Sequence, residues 1–292
     1  MICLNYKRDV YGGSVMNSPA EIAKNYILIG KDKVKMPFLK TFLLAIMAGM
    51  FIAIAGAGAS VAVVSVDVPS LAKVLSGCIF PGGLAMVILA GSELFTGNCL
   101  LIIPCLSKEI KVCEMVRNLV IVYLGNFLGG LLICALLVYG HTFSMFQNGM
   151  AEYAVATAAA KTSLTFGDAF LRGIMCNILV CIAVWMGFAA KDAAGKVIAI
   201  FLPIMIFVIC GYEHSVANMY YIPAGLIAAR NQNYVQVAMD TYGYTADQLA
   251  SLNLYGFFVK NLVPVTIGNI IGGAVLGLIL LYLHGYDKKK AA

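Results

Sequence analysis

Six long stretches with few charged residues follow one another along the chain. They cover residues 41–66, 74–107, 118–151, 173–190, 197–229 and 261–286. A helix needs about 17–25 apolar residues to cross a bilayer, so each stretch has room for one crossing. We therefore predict an all-α integral membrane protein with a six-helix transmembrane domain over 41–286. A polar segment over 1–40 precedes this domain, and a basic tail over 287–292 follows it.

The composition agrees with this pattern. Hydrophobic residues make up 61% of the chain, charged residues only 12%, and the mean hydropathy is +0.90. Soluble domains carry about 25% charged residues, so a lipid bilayer is the predicted environment. The nine cysteines show no metal-ligand spacing. We therefore predict no metal and no cofactor, and interpret the cysteines as packing residues.

The basic residues fall mainly on one side of the predicted helices. The side that contains both termini holds Lys7, Arg8, Lys24, Lys31, Lys33, Lys35, Lys40, Lys108, Lys111, Arg117, Lys191, Lys196, Lys288, Lys289 and Lys290. The other side holds Lys73, Lys161, Arg172, Arg230 and Lys260. Lysine and arginine accumulate on the cytoplasmic face of a membrane protein, so both termini are predicted to be cytoplasmic in a cell inner membrane. The net charge of +6 reflects this bias and indicates no nucleic-acid partner.

A short helix is predicted before the first crossing. Ser18 and Glu21 have the spacing of a capping box, and Pro19 would occupy the first helical position. Ile22 and Tyr26 would then share one apolar face. We expect an amphipathic helix along the cytoplasmic surface.

An internal repeat relates the two halves of the chain. Residues 117–130 and 260–273 are identical at eight of fourteen aligned positions, and residues 91–104 resemble 211–223. Segments one to three therefore repeat as four to six. Because three is an odd number, the second copy enters the membrane from the opposite side, which gives an inverted 3+3 repeat.

The second and fifth segments are predicted to break near their centres. Each carries one glutamate there, Glu93 or Glu213, beside glycine and asparagine. Non-helical backbone is tolerated inside a bilayer only where protein buries it or a cavity adjoins it. The second half-helices are expected to begin near 97–98 and 214–215, with their positive ends suited to an anion. Glu93 and Glu213 are expected to cap the freed amides. The residues predicted to support the breaks are Glu93, Glu213, Gly97, Asn98 and Asn218.

His214 is the candidate functional group of the fifth segment. An ionisable residue at this depth indicates function, although a buried structural histidine is the alternative. A membrane-embedded enzyme is a second alternative, but the chain has only three histidines and no H-E-x-x-H motif. A purely structural membrane scaffold is a third, and it gives no reason for polar residues at the centre.

The motifs ELFTGN (93–98), GYEHSVANM (211–219) and NLVPVTIGNIIGG (261–273) resemble the formate–nitrite transporter family. The resemblance covers nearly the whole chain from about residue 36. It implies a homopentamer whose protomers each have an aquaporin-like fold and their own pore for small monovalent anions, namely formate, nitrite or hydrosulfide.

The resemblance also implies roles for individual residues. His214 corresponds to the central pore histidine, Thr96 to its hydrogen-bond partner, Asn177 to a pore asparagine and Lys161 to a vestibule lysine that attracts anions. Leu84 and Leu94 correspond to one hydrophobic constriction, and Phe80 and Phe207 to the other. The loop at 231–259 has no assigned role.

This assignment leads to a transport hypothesis. A bare carboxylate cannot cross a dry constriction, because burial of an unpaired charge is costly, whereas neutral formic acid can cross. Imidazole exchanges protons near neutral pH, so we expect His214 to assist protonation, directly or through water. Formate is the favoured substrate, nitrite and hydrosulfide are the alternatives, and the proton is the second partner.

Overall fold

The computed structural model describes residues 16–285, which contain twelve helices of five residues or more. In chain order they are α1 (Pro19–Lys35), α2 (Phe38–Val63), α3 (Pro69–Leu89), α4 (Phe95–Leu106), α5 (Val112–Tyr139), α6 (Gly149–Thr162), α7 (Phe166–Ala189), α8 (Ala193–Ile209), α9 (Ser215–Ala228), α10 (Gln232–Asp240), α11 (Ala246–Ala250) and α12 (Gly256–His284). The predicted all-α class is confirmed for this part of the chain. The basic tail at 287–292 lies outside it.

Five of these helices are long and apolar enough to cross a membrane: α2, α3, α5, α7 and α12. The predicted fifth segment is divided between α8, with 17 residues, and α9, with 14 residues. Helix α12 begins at Gly256, before the predicted start of the sixth segment, and its first turns are π-helical. The unassigned loop contains the short helices α10 and α11.

Helix α1 begins with the predicted capping box, in which Ser18 and Glu21 bond to each other's backbone amides. Ile22 and Tyr26 are buried, so its apolar face packs on the helix bundle. The Tyr26 hydroxyl donates to the Gly97 carbonyl at 3.2 Å. This contact ties α1 to α4 next to the first helix interruption.

Small residues let two helix pairs approach closely, α2 with α5 and α7 with α12. A Cβ atom on Gly129 of α5 would overlap the backbone oxygen of Ile46, and one on Gly272 of α12 would overlap that of Ile174. Glycine at membrane helix crossings permits this backbone contact. Gly129 and Gly272 are aligned positions of the sequence repeat, so the same packing device occurs in both halves.

Candidate functional site

The interruption between α3 and α4 is a tight turn with backbone hydrogen bonds to its neighbours. Gly91 has a φ of 69°, a left-handed conformation that glycine adopts without steric cost. The Glu93 amide donates to the Leu44 carbonyl of α2 at 3.2 Å. Helix α4 begins two residues before Gly97, earlier than expected, so Gly97 lies inside the helix instead of in the break.

The interruption between α8 and α9 repeats this turn. Gly211 has a φ of 66°, and the Glu213 amide donates to the Arg172 carbonyl of α7 at 3.3 Å. Helix α9 begins at Ser215, within the range that the sequence predicted. The two interruptions therefore share a backbone geometry.

One asparagine holds each interruption against a neighbouring helix. Asn126 on α5 accepts a hydrogen bond from the Phe95 amide at 2.9 Å and donates to the Glu93 carbonyl at 2.9 Å. Asn269 on α12 likewise accepts from the Ser215 amide at 2.9 Å. Buried backbone groups need such partners, so these side chains stabilise the non-helical segments. Sequence analysis missed both residues, although they are aligned and identical in the repeat.

A lysine, a glutamate and two asparagines form a buried cluster beside the first interruption. Lys33 donates to Glu93 at 2.6 Å, and Asn98 donates to the other carboxylate oxygen at 2.6 Å. Asn98 also donates to Asn118 at 2.9 Å. The side chain of Glu93 is 5% exposed, so its charge is compensated almost entirely by protein groups.

The same cluster occurs beside the second interruption. Lys161 donates to Glu213 at 2.9 Å, Asn218 donates to Glu213 at 2.6 Å, and Asn218 donates to Asn261 at 2.7 Å. The Asn261 amide then donates to the Lys161 carbonyl at 2.9 Å. The side chain of Glu213 is 6% exposed.

These clusters correct the expectation for the two glutamates. Their carboxylates bond to lysine and asparagine side chains, while asparagines from α5 and α12 bond to the freed amides. Lys161, expected to attract anions, is bound to Glu213 and lies over the Tyr221 ring at 5.4 Å. Lys33, which sequence analysis did not select, holds the equivalent position in the first cluster.

The two interruptions differ in the residues that follow each glutamate. His214 stands where the first half has Leu94, and Thr96 stands where the second half has Val216. The His214 Nε2 atom lies 2.9 Å from the Thr96 hydroxyl, and both residues are buried. The predicted pairing of His214 with Thr96 is therefore present.

The second ring nitrogen of His214 caps helix α9. Its Nδ1 accepts a hydrogen bond from the Ala217 amide at 3.0 Å. An accepting Nδ1 carries no proton, so the neutral ring holds its proton on Nε2 and donates it to Thr96. Protonation of Nδ1 would remove the cap, which couples the charge of the ring to the start of the helix.

A cavity of about 310 Å³ adjoins His214; we call it the Lys161 cavity. Phe80 and Phe207 line it and are buried. Their rings meet edge to face with centroids 5.5 Å apart, and the Phe207 ring stacks on His214 at 6.0 Å. The two phenylalanines predicted as a constriction are thus brought together beside the histidine.

A second cavity, of about 450 Å³, adjoins the first interruption; we call it the Lys33 cavity. Leu84 and Leu94 line it and are 3% exposed. Thr96 follows Leu94 by two residues. The hydrogen bond between His214 and Thr96 therefore joins the segment beside one cavity to the segment beside the other.

Asn177 lines neither of the two cavities. It is fully buried, and its amide donates to the Asn269 carbonyl at 2.6 Å. The Cys181 thiol contacts both the Thr96 carbonyl, at 3.4 Å, and the Asn177 side chain, at 3.7 Å. The direct role of Asn177 in a pathway stays a prediction.

Within residues 16–285, no three histidine, cysteine, aspartate or glutamate side chains gather as metal ligands.

Comparison with known proteins identifies the family. The sequence pattern described as formate/nitrite transporter matches residues 20–283. The chain is 42% identical over 257 residues to formate channel FocA of Haemophilus influenzae, covering 85% of this chain and 88% of that protein. It is 34% identical to formate channel FocA of Escherichia coli strain K12, covering 92% of this chain and 95% of that protein.

A solved structure has the same fold. The structure described as a pentameric formate channel with formate bound superposes with a TM-score of 0.74 at 36% identity, covering 84% of this chain and 96% of that chain. The family match over residues 20–283 includes both interruptions and both lysine–glutamate clusters. The chain is a member of the formate/nitrite transporter family of membrane channels.

Proposed function

We propose that the chain is a channel for small monovalent anions, that formate is its main substrate, and that it acts in transport rather than as an enzyme. The His214–Thr96 hydrogen bond between the two cavities is the observation that carries this proposal. The identity to proteins named formate channels supports the choice of formate. Nitrite and hydrosulfide are the alternative substrates within the family.

The proposed architecture is a homopentamer of six-crossing protomers in the cell inner membrane. The two halves cross it in opposite directions, with both termini cytoplasmic, as an aquaporin-like inverted repeat interrupted at the centre of the membrane. The paired turns, paired asparagines and paired lysine–glutamate clusters support the repeat. The pentameric assembly of the structural relative supports the oligomer.

The proposed pathway runs from the Lys161 cavity, past Phe80 and Phe207, to the His214–Thr96 pair. It continues past Leu84 and Leu94 into the Lys33 cavity. These apolar side chains provide no partner for a charge, so the permeating species is the neutral acid. Asn177 supports the central backbone, and Lys161, paired with Glu213, lines the Lys161 cavity.

His214 assists protonation at this point in the pathway. Since Nδ1 accepts from Ala217 in the neutral ring, direct donation of a proton to the anion requires a charged ring that has lost its helix cap. Donation through water in the Lys161 cavity keeps the cap. In both routes the Nε2 proton and the Thr96 hydroxyl are the hydrogen-bonding groups offered to the substrate.

Flux into proteoliposomes tests this proposal. Formate, nitrite and hydrosulfide are compared at about pH 5.5 and about pH 7.5, on either side of the ordinary pKa of a free imidazole, for the wild type and His214→Asn. The proposal is supported if formate has the largest flux of the three anions in the wild type and if this flux no longer depends on pH in His214→Asn. Full proton-coupled flux in His214→Asn would remove the direct role of the histidine, and larger nitrite or hydrosulfide flux would change the substrate. No anion flux would overturn the channel function.

A further inference from the structure

Five basic residues are predicted to lie on the side of the membrane opposite both termini. Three of them line the Lys161 cavity: Lys73, Lys161 and Arg172. The remaining two, Arg230 and Lys260, are exposed and do not line it. The lining contains one carboxylate, Glu213, so three cations and one anion leave a formal excess of two positive charges. This cavity therefore favours anions.

Lys161 contributes little to the uncompensated charge. Its side chain is 16% exposed, and it is bound to Glu213. Lys33 makes the equivalent ion pair in the first cluster, so this bond belongs to the shared support of the two interruptions. The positive excess of the Lys161 cavity is carried by Lys73 and Arg172.

Lys73 and Arg172 flank the second interruption from two different helices. The Lys73 ammonium lies 3.7 Å from the position that a Cβ atom of Gly211 would occupy, and the Arg172 carbonyl accepts from the Glu213 amide at 3.3 Å. Both side chains are exposed, and the ion pairs found among residues 16–285 include neither of them. Two cations therefore face the cavity opening without carboxylate partners.

The position of Lys73 along α3 places it before the phenylalanine constriction. Lys73, Ser76 and Phe80 line the cavity from the same helix, α3. Since a helix rises 1.5 Å per residue, the Lys73 backbone lies about 10 Å along the axis from that of Phe80. An anion that enters the cavity meets Lys73 before it meets the apolar rings.

We propose that Lys73 and Arg172 form an anion-capture site, distinct from the Lys161–Glu213 pair, that raises the local concentration of the small carboxylate at the cavity opening. The guanidinium group of Arg172 matches a carboxylate through two parallel hydrogen bonds, and Lys73 adds a mobile charge. Tyr153, Tyr242 and Tyr244 also line this cavity. This inference rests on the proposed function, because it concerns capture of the same substrate.

The test compares two double variants that each remove two positive charges from the same side of the protein. Lys73→Gln with Arg172→Gln removes the cavity charges, whereas Arg230→Gln with Lys260→Gln removes charges outside it. Formate uptake is measured against concentration for formate presented to the Lys161 side, at low and high salt. We expect the cavity variant to raise the half-saturating formate concentration about tenfold at low salt, with a limiting flux close to that of the wild type.

Salt and a conservative variant provide the controls. In about 0.5 M salt the difference between the cavity variant and the wild type should fall to about twofold or less, because screening shortens the range of the charges. Lys73→Arg with Arg172→Lys keeps the charges and should bind formate nearly as well as the wild type, as should the variant that lacks Arg230 and Lys260.

Three results would overturn the capture site. They are an unchanged half-saturating concentration in the cavity variant, an equal change in both double variants, and a loss of limiting flux that persists at high salt. In each of them the wild type still conducts formate. A wild type that conducts no anion instead contradicts the proposed function itself.

Discussion

The two helix interruptions share their supports and differ in the residues that those supports hold. Glycine at the turn, asparagine from a neighbouring helix and a buried lysine–glutamate pair occur on both sides. His214 and Thr96, by contrast, each have an apolar residue at the equivalent position of the other half. The repeated residues therefore form the support of each interruption, whereas the unrepeated residues carry the candidate chemistry.

The largest expected effect comes from removal of either lysine that is paired with a buried glutamate. In Lys33→Met or Lys161→Met, a carboxylate that is 5% or 6% exposed loses its ion pair. Loss of one partner from a buried pair costs about 3–5 kcal/mol, so both variants should lose comparable thermal stability in detergent. The control is Lys31→Met, whose pair with Glu109 is more exposed, at 34% and 28%, and should change stability by about 0–1 kcal/mol. Clearly unequal losses for Lys33→Met and Lys161→Met would show that the clusters are not equivalent supports.

A smaller effect is expected at the unrepeated pair. Thr96→Val introduces the residue type found at position 216 and removes the hydroxyl bonded to His214. One hydrogen bond contributes about 0.5–1.5 kcal/mol, so the folded protein should persist while formate flux falls and its pH profile shifts. Flux into proteoliposomes across a pH series measures both. Thr96→Ser keeps the hydroxyl and should conduct like the wild type; equal flux from all three proteins would exclude a role for the hydroxyl.

The smallest expected effect concerns α1 and α6, the helices that contain Lys33 and Lys161. Helix α1 starts with a capping box, whereas Asn148, at the N-cap position of α6, makes no side-chain cap. Backbone and side-chain hydrogen bonds from Ser18 lower the pKa of the Glu21 carboxyl below its ordinary value of 4.5. Because the folded-state pKa is depressed, the stabilisation is present above pH 4.5 and is lost as the pH falls through the folded-state value.

Hydrogen exchange of the α1 amides between about pH 6 and about pH 3 tests this linkage. After correction for intrinsic exchange rates, protection of the first turn should fall with acidification in the wild type and remain flat in Glu21→Gln. The first turn of α6 serves as the internal control. Parallel pH profiles in the wild type and the variant would contradict the assigned role of Glu21.

The sequence predicts the outline of the site and leaves out part of its support. Low charge and the repeat locate both interruptions, and the family motifs identify Thr96 and His214 as partners. The structure adds Lys33, which lies on a surface helix with several other lysines, and periodicity cannot say which of them turns inward. Asn126 and Asn269 do align in the repeat, but that alignment does not reveal which backbone amides they bind.

The position of Gly97 shows a similar limit. The sequence has two glycines at the expected first break, Gly91 and Gly97, and only Gly91 makes the turn, because α4 has already begun at Gly97. From the sequence alone, either glycine could form the turn or lie inside the helix. Only the hydrogen bonds of the intervening backbone decide where the helix ends and resumes.

The hydrogen bond between Thr96 and His214 has no counterpart in the repeat, whereas the turns and ion pairs around it occur in both halves. In a symmetric dimer of two identical half-length chains, every contact between the two chains would occur twice. A histidine matched by leucine and a threonine matched by valine require halves that are encoded separately. The pair is therefore a feature of the joined chain, in which each half carries its own residue at these two aligned positions.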